Sequence, residues 1–168
     1  MRISYRWQQG RKEKRKLSIP TSYADITLGD LQKIRSFEGD DEFIAIKIIE
    51  TLAGISAKEA LRMRAKDRDE IIELISDALI VQPSKLQKTF TLNGVKYGFI
   101  PNLNDITWGE FVDIETYQGD FANIHKLMAI LYRPIVKEWR DNYEIEFYTG
   151  SAKYAHIMKD SPSDIALG

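Results

Sequence analysis

Residues 88–111 read KTFTLNGVKYGFIPNLNDITWGEF, and this stretch decides the fold prediction. Two segments of alternating polarity, Lys88–Leu92 and Val95–Ile100, flank the pair Asn93-Gly94. An Asn-Gly pair in this setting predicts a β-hairpin, because a type I′ turn needs two positive φ angles. Further along, Thr107 is followed by Glu110, the capping-box pattern that marks the start of a helix. The stretch is therefore typical of a hairpin followed by a helix.

An internal repeat extends this interpretation to the rest of the chain. Residues 25–31, DITLGDL, recur at 105–111 as DITWGEF, and the ungapped alignment of 25–56 with 105–136 contains nine identities in 32 positions. The pattern of Ser56–Met63 returns at Ser151–Met158 with a larger offset, which predicts an insertion over residues 137–150. Such a repeat indicates a duplicated structural unit.

The predicted fold is α+β, with two related units that each consist of a β-hairpin followed by several short α-helices. The first unit spans 1–83 and carries a basic N-terminal arm; the second spans 84–168 and carries the insertion. In the first unit we expect a looser hairpin from Ile3–Trp7 and Lys14–Ile19 around Gly10, helices after Thr27 and Asp40, a third helix at Ser56–Lys66 and a fourth at Asp67–Val81. In the second, we expect helices after Thr107 and Asp120, a strand at Tyr143–Tyr148 and a helix at Ser151–Lys159.

The last residues also resemble the start of a helix. Ser161 is placed as an N-cap and Pro162 as the first helical residue. Because only six residues follow Pro162, we expect the natural chain to continue beyond Gly168.

Composition disfavours several kinds of site. The 168 residues contain no cysteine, which excludes disulfides, thiolate zinc sites, iron–sulfur clusters and a cysteine nucleophile, and the two histidines, His125 and His156, disfavour a histidine-built metal site. The longest strictly apolar run, Leu127–Tyr132, is too short to cross a membrane. We therefore expect no cofactor, no metal and no membrane span.

The sequence also contains no recognisable catalytic motif. The glycines are scattered singly, so no phosphate-binding loop is predicted, and no serine lies in a nucleophile elbow. The carboxylate pair Glu110 and Asp113 includes a predicted helix cap, and Glu144 and Glu146 alternate along a predicted strand, where such a pair is usually solvated. We expect a protein that is not an enzyme and has no catalytic residues.

The charges are distributed unevenly along the chain. The first 16 residues carry seven basic and one acidic residue, a net charge of +6, whereas the other 152 carry 17 basic and 24 acidic residues, a net charge of −7. One interpretation is a solvated hairpin; the other is an arm that binds an acidic protein surface or nucleic acid phosphates. The candidate binding residues of this basic arm are Arg6, Arg11, Lys12, Lys14, Arg15 and Lys16.

A second candidate binding site is a group of aromatic and arginine residues in and around the insertion. Tryptophan, tyrosine and arginine are enriched at the energetic centres of protein interfaces. The alternative is that these residues cover the core of the second unit. The group consists of Arg133, Trp139, Arg140, Tyr143, Phe147 and Tyr148.

The stretch from Phe90 to Ile114, together with Met128–Ile135, resembles small proteins encoded among the virion genes of tailed bacteriophages. The resemblance is to phage tail and baseplate assembly proteins and to virion proteins of crAss-like phages, and it covers about residues 85–160. Its motifs are a hairpin turn, a helix cap and a core stripe, so it transfers no catalytic residue.

The resemblance implies a non-enzymatic virion structural or tail-assembly protein that acts through protein–protein contacts. Its partners would be other phage virion or tail proteins in an oligomeric assembly. It would be found in the host cytoplasm during assembly and, as a structural component, in the virion. The alternative is a nucleic-acid-associated phage protein that contacts the genome through the basic arm.

Overall fold

The computed structural model describes residues 2–9, 13–80, 85–140 and 142–168, with side chains left undescribed for 3–9 and 13–15. The fold is α+β, which confirms the predicted class. The chain divides into two compact units: Met1–Gln82 with Pro162–Asp164, and Pro83–Ser161 with Ile165–Gly168. The division after Gln82 lies one residue before the boundary taken from the sequence.

In its described residues, the first unit combines a two-stranded sheet with four α-helices. Its strands are antiparallel and pair from Arg2 opposite Pro20 to Gln9 opposite Glu13. The predicted hairpin is therefore present, while its turn around Gly10 lies outside the described residues. The elements are β1 (Arg2–Gln9), β2 (Glu13–Pro20), α1 (Leu28–Arg35), α2 (Asp41–Ala53), α3 (Ala57–Ala60) and α4 (Ala65–Ala78).

The prediction of one long third helix over Ser56–Lys66 is wrong. Ser56 does cap a helix, but α3 ends after one turn, and Arg64 has an extended backbone (φ −69°, ψ 144°) before α4 begins. After this break, α4 starts as a separate helix and buries one face, which consists of Ile71, Ile75 and Ala78.

The second unit is built on a four-stranded antiparallel sheet in the order β3-β4-β5-β6. Asn93 and Gly94 have φ angles of 50° and 79°, which confirms the predicted hairpin turn. Its core contains aromatic residues in contact, with Phe90 stacked on Tyr97 and edge-to-face with Tyr132. The elements are β3 (Thr89–Leu92), β4 (Val95–Phe99), α5 (Trp108–Tyr117), α6 (Ile124–Leu131), β5 (Tyr132–Trp139), β6 (Asn142–Ile145) and α7 (Ala152–Met158).

Two strands of this sheet differ from the sequence prediction. β5 was not predicted, although it lies in the centre of the sheet between β4 and β6. The strand expected at Tyr143–Tyr148 is β6, which ends at Ile145, so Phe147 and Tyr148 lie in the segment after it.

The chain then returns to the first unit. Pro162 forms a bridge with Thr27, and Ser163 donates hydrogen bonds from its backbone nitrogen and its hydroxyl to the carbonyl of Ile26, at 2.9 and 2.8 Å. A helix is present here, α8 (Ser163–Leu167), but it begins one residue later than predicted, because Pro162 lies in the bridge instead of being the first helical residue.

The two helix starts of the repeat are built alike. The hydroxyls of Thr27 and Thr107 accept hydrogen bonds from the backbone nitrogens of Asp30 and Glu110, at 3.1 and 3.2 Å. Farther along, the copies differ, because β5 begins at Tyr132 whereas the equivalent position 52 lies inside α2. That the two units are related by duplication stays a prediction.

Among the described residues, none of the helices is both long and apolar enough to span a bilayer.

Candidate functional site

The most prominent exposed apolar surface of the second unit lies on the first turns of α5. Trp108 is 79% exposed, Phe111 and Val112 are each 43% exposed, and the rings of Trp108 and Phe111 stack with centroids 5.7 Å apart. We call these three residues the α5 surface. Exposed apolar groups gathered in one place, rather than scattered singly, mark interaction sites on soluble proteins.

The repeat gives a reference for this exposure. The positions that correspond to Trp108 and Phe111 in the first copy are Leu28 and Leu31, which are 0% and 3% exposed. In α1 these residues enter a core, whereas in α5 larger side chains at the same positions face solvent. Packing within the second unit therefore does not account for the size of the two aromatic residues.

A cavity of about 300 Å³ lies at the N-terminal end of α5. One wall comes from the chain before the helix and the other from the segment after β6. The residues around it include Asn102, Asp105, Thr107, Glu110, Arg133, Glu146, Phe147 and Tyr148.

Glu110 and Arg133 form a buried ion pair in the wall of this cavity. Oε1 of Glu110 lies 2.5 Å from Nη1 of Arg133, and both side chains are over 90% buried. The other carboxylate oxygen of Glu110 accepts hydrogen bonds from the backbone nitrogen and the hydroxyl of Thr107, both at 2.7 Å. Burial by itself raises the pKa of Glu110, but the hydrogen bonds from Thr107 and Arg133 outweigh it and hold the pKa below its ordinary value.

Tyr148 holds the segment after β6 against α5. Its hydroxyl donates a hydrogen bond to Asp113, and the guanidinium of Arg133 lies 5.4 Å from its ring centroid. Burial and the bond to the Asp113 carboxylate raise the pKa of Tyr148, so the phenol stays protonated. Its neighbour Phe147 is left 77% exposed beside the cavity.

The chain around the α5 surface is acidic. Residues 97–124 contain five acidic residues and no lysine, arginine or histidine. Glu110 is neutralised by Arg133, and the Asp113 carboxylate is bound by Tyr148. The exposed residues Asp105 and Glu115 flank the α5 surface, and no ion pair joins either one to another described residue.

The polar side chains around the cavity are largely engaged with one another. Glu110 is fixed by a cap and an ion pair, and the phenol of Tyr148 is held protonated by a carboxylate. Within the described ranges, no group of three or more histidine, aspartate or glutamate residues is arranged to hold a metal ion. What the site offers is a pair of exposed rings, a neighbouring cavity and uncompensated negative charge.

The described residues of the predicted basic arm lie in β1 and β2. Arg6, Lys14 and Arg15 lie in the paired strands, where Arg6 is opposite Lys16. Lys16 is exposed, and Arg11 and Lys12 lie outside the described residues.

The predicted aromatic and arginine group is divided between different environments. Arg133, Tyr143 and Tyr148 are used inside the second unit, since the Tyr143 hydroxyl donates hydrogen bonds to the carbonyls of Phe99 and Lys88 at 2.9 and 3.1 Å. The remaining three, Trp139, Arg140 and Phe147, are exposed. Lys137 lies 5.3 Å from the ring centroid of Trp139. A binding role for these residues stays a prediction.

Sequence reasoning missed the α5 surface. A spacing of three residues, as between Trp108, Phe111, Ile114 and Tyr117, drifts around a helix and so predicts a helix buried on more than one side. This prediction is wrong for the first turns of α5, where Trp108 and Phe111 are exposed. A signal was present in the repeat, where Leu28 and Leu31 are replaced by a tryptophan and a phenylalanine. The run of 28 residues without a basic side chain was a second signal.

Comparison of the chain with protein-family models, with curated proteins and with solved structures gave no match.

Proposed function

We propose that this chain is a non-enzymatic structural or tail-assembly protein of a bacteriophage virion and that it acts through protein–protein contacts. The resemblance of Phe90–Ile114 and Met128–Ile135 to virion-associated phage proteins supports the phage assignment. The observation that carries the mode of action is the α5 surface, where Trp108 is 79% exposed.

The chemistry of the α5 surface favours a protein partner. Tryptophan and phenylalanine are enriched in the cores of protein interfaces, where they lose water and pack against the partner. Two stacked rings present a rigid contact area that is already organised before binding, which reduces the entropy lost on association.

The assignment is tested on particles of the phage that encodes the chain. Mass spectrometry of purified virions and of tail intermediates is expected to detect the chain in at least one of the two. A phage carrying Trp108→Ser is expected to yield fewer complete particles, whereas Leu61→Ser, which removes an exposed leucine of the first unit, leaves the yield unchanged. A chain absent from virions and intermediates alike, with normal yields for both variants, contradicts the proposal.

A second candidate function is association with nucleic acid through the basic arm. The observation that favours it is the net charge of +6 in the first 16 residues. Binding through phosphates releases counterions, so the affinity for a DNA duplex would fall about a thousandfold or more between about 50 and 200 mM salt if six or more contacts form. No measurable DNA binding at the lower salt concentration would exclude this function.

A further inference from the structure

We propose that the α5 surface is the docking site for the basic hairpin, β1–β2, of a second copy of this chain. This inference rests on the proposed function, which gives the chain a role in assembly, and it names one partner in that assembly. The contact would join two different surfaces, one from each copy.

The first argument is charge complementarity. Residues 97–124 carry five acidic residues and no basic one, and Asp105 and Glu115 remain exposed on either side of the α5 surface. The first 16 residues carry a net charge of +6, and four of their basic residues, Arg6, Lys14, Arg15 and Lys16, lie within one short stretch of paired backbone. Opposite charges arranged in this way speed association and select the orientation of docking.

The second argument is the aromatic character of the surface. Arginine and lysine bind over the faces of aromatic rings, most strongly over tryptophan. In the second unit this contact is already used, since Lys126 lies 4.9 Å from the ring centroid of Tyr117 and Lys153 lies 5.0 Å from that of Tyr154. No cation of the described residues lies over Trp108 or Phe111, although both rings are exposed.

The cavity beside α5 provides a place for one basic side chain. Its volume of about 300 Å³ exceeds that of an arginine side chain, and its wall contains the carboxylates of Asp105, Glu110 and Glu146. Glu110 is paired with Arg133 and Glu146 with Lys153, so within the described residues the carboxylate of Asp105 is the one in this wall without an ion pair. The same charge balance disfavours an anionic occupant. A cationic hairpin therefore fits both the cavity and the α5 surface.

A contact between two different surfaces is heterologous, so each copy can bind one neighbour through its hairpin and another through its α5 surface. Such contacts produce rings when the rotation closes and filaments when it does not. This is a form of assembly that a tail or baseplate component can use.

The test compares the association of purified variants by sedimentation velocity. The surface variant combines Trp108→Ser with Asp105→Lys; the arm variant replaces Arg11, Lys12, Lys14, Arg15 and Lys16 with serine. The matched control for the surface variant is Leu61→Ser with Glu73→Lys, which makes the same kinds of change at exposed positions of the first unit. Circular dichroism first establishes that each variant is folded.

We expect the wild-type chain and the control to self-associate, and about 0.5 M salt to weaken this association about tenfold or more. Each of the two variants alone is expected to be monomeric. Mixed together, they are expected to form a 1:1 dimer, because the surface variant still has an intact hairpin and the arm variant an intact α5 surface. Formation of this dimer also shows that the hairpin of the surface variant and the α5 surface of the arm variant are correctly folded.

The proposal is overturned by a wild-type chain that stays monomeric, by association that survives either variant, or by a mixture of the two variants that stays monomeric. None of these results changes whether the chain occurs in phage particles, so the proposed function is decided separately by mass spectrometry.

Discussion

Gly98 in β4 lies where no other residue fits. A Cβ atom added there would come within 2.5 and 2.8 Å of the ring of Tyr143 and 3.0 Å of Ile135. The ring cannot easily move, because the hydroxyl of Tyr143 donates hydrogen bonds to the backbone carbonyls of Phe99 and Lys88. The position of the Tyr143 ring therefore requires a glycine at position 98.

From this geometry we expect Gly98→Ala to lower the free energy of unfolding by about 1 to 3 kcal/mol, the usual cost of overpacking. Chemical denaturation followed by circular dichroism measures it. In a Tyr143→Ala background the same change should cost much less, since the clashing ring is gone. Equal costs in both backgrounds would show that the Gly98–Tyr143 contact is not the cause.

The Glu110–Arg133 pair is a second place where two residues depend on each other. Removing one partner leaves a buried charge without compensation, which typically costs about 3 to 5 kcal/mol. We therefore expect Glu110→Gln and Arg133→Met each to destabilise the second unit strongly. The double variant should lose less than the sum of the two, and a double-mutant cycle in urea measures the difference. Additive costs would contradict a coupled pair.

At the scale of elements, α5 depends on the capping box formed by Thr107 and Glu110. The Thr107 hydroxyl accepts a hydrogen bond from the Glu110 nitrogen and donates one to its carboxylate. We expect Thr107→Ala to cost about 1 to 2 kcal/mol in unfolding free energy and Thr107→Ser to cost much less, because serine retains both bonds. Thermal denaturation of the two variants makes the comparison, and equal losses would mean that the methyl group, not the hydroxyl, matters.

The elements that the sequence predicted correctly are those with local signals. The Asn93-Gly94 turn and the caps at Thr27 and Thr107 each depend on a few neighbouring residues. No local signal of this kind marks β5, because its first residues continue the apolar run of α6. Its strand character comes from pairing with β4 and β6, whose residues are distant in sequence.

The candidate site was predictable only in part, for a related reason. Their residue type alone points to Arg133 and Tyr148 as candidates. Their partners, Glu110 and Asp113, lie on α5, well before them in the chain. Such partners decide whether an aromatic side chain packs inside a unit or is exposed to solvent. Trp108 has the same helical position as Leu28, and only the three-dimensional packing shows that one is exposed and the other buried.

At the scale of the whole molecule, protonation links the charged groups to stability. Glu110 has a folded-state pKa below its ordinary value of 4.5, and so has Glu146, chiefly because Lys153 and Tyr154 donate hydrogen bonds to it. A carboxyl group with a lowered pKa contributes stability that is present above its ordinary pKa and is lost as the pH falls through the folded-state value. We therefore expect the urea midpoint to fall steeply below about pH 4.5.

Protonation of His125 is expected to lower the stability at a higher pH than protonation of the carboxylates does. Burial, together with the positive charges of Lys159 and Lys126, lowers its pKa below the ordinary value of 6.5, and these effects outweigh a hydrogen bond with the backbone of Ala122. Because the unfolded chain then binds the proton more readily than the folded one, stability is complete above pH 6.5 and decreases as the pH falls from there through the folded-state pKa. The urea midpoint should therefore begin to decline near pH 6.5, before the carboxylates titrate.

His125→Ala, which installs the residue found at the equivalent position 45 of the first copy, should flatten the decline between pH 6.5 and 4.5 and leave the steeper acid loss in place. A decline of the same size in His125→Ala and in the wild-type chain would show that another group titrates in this range.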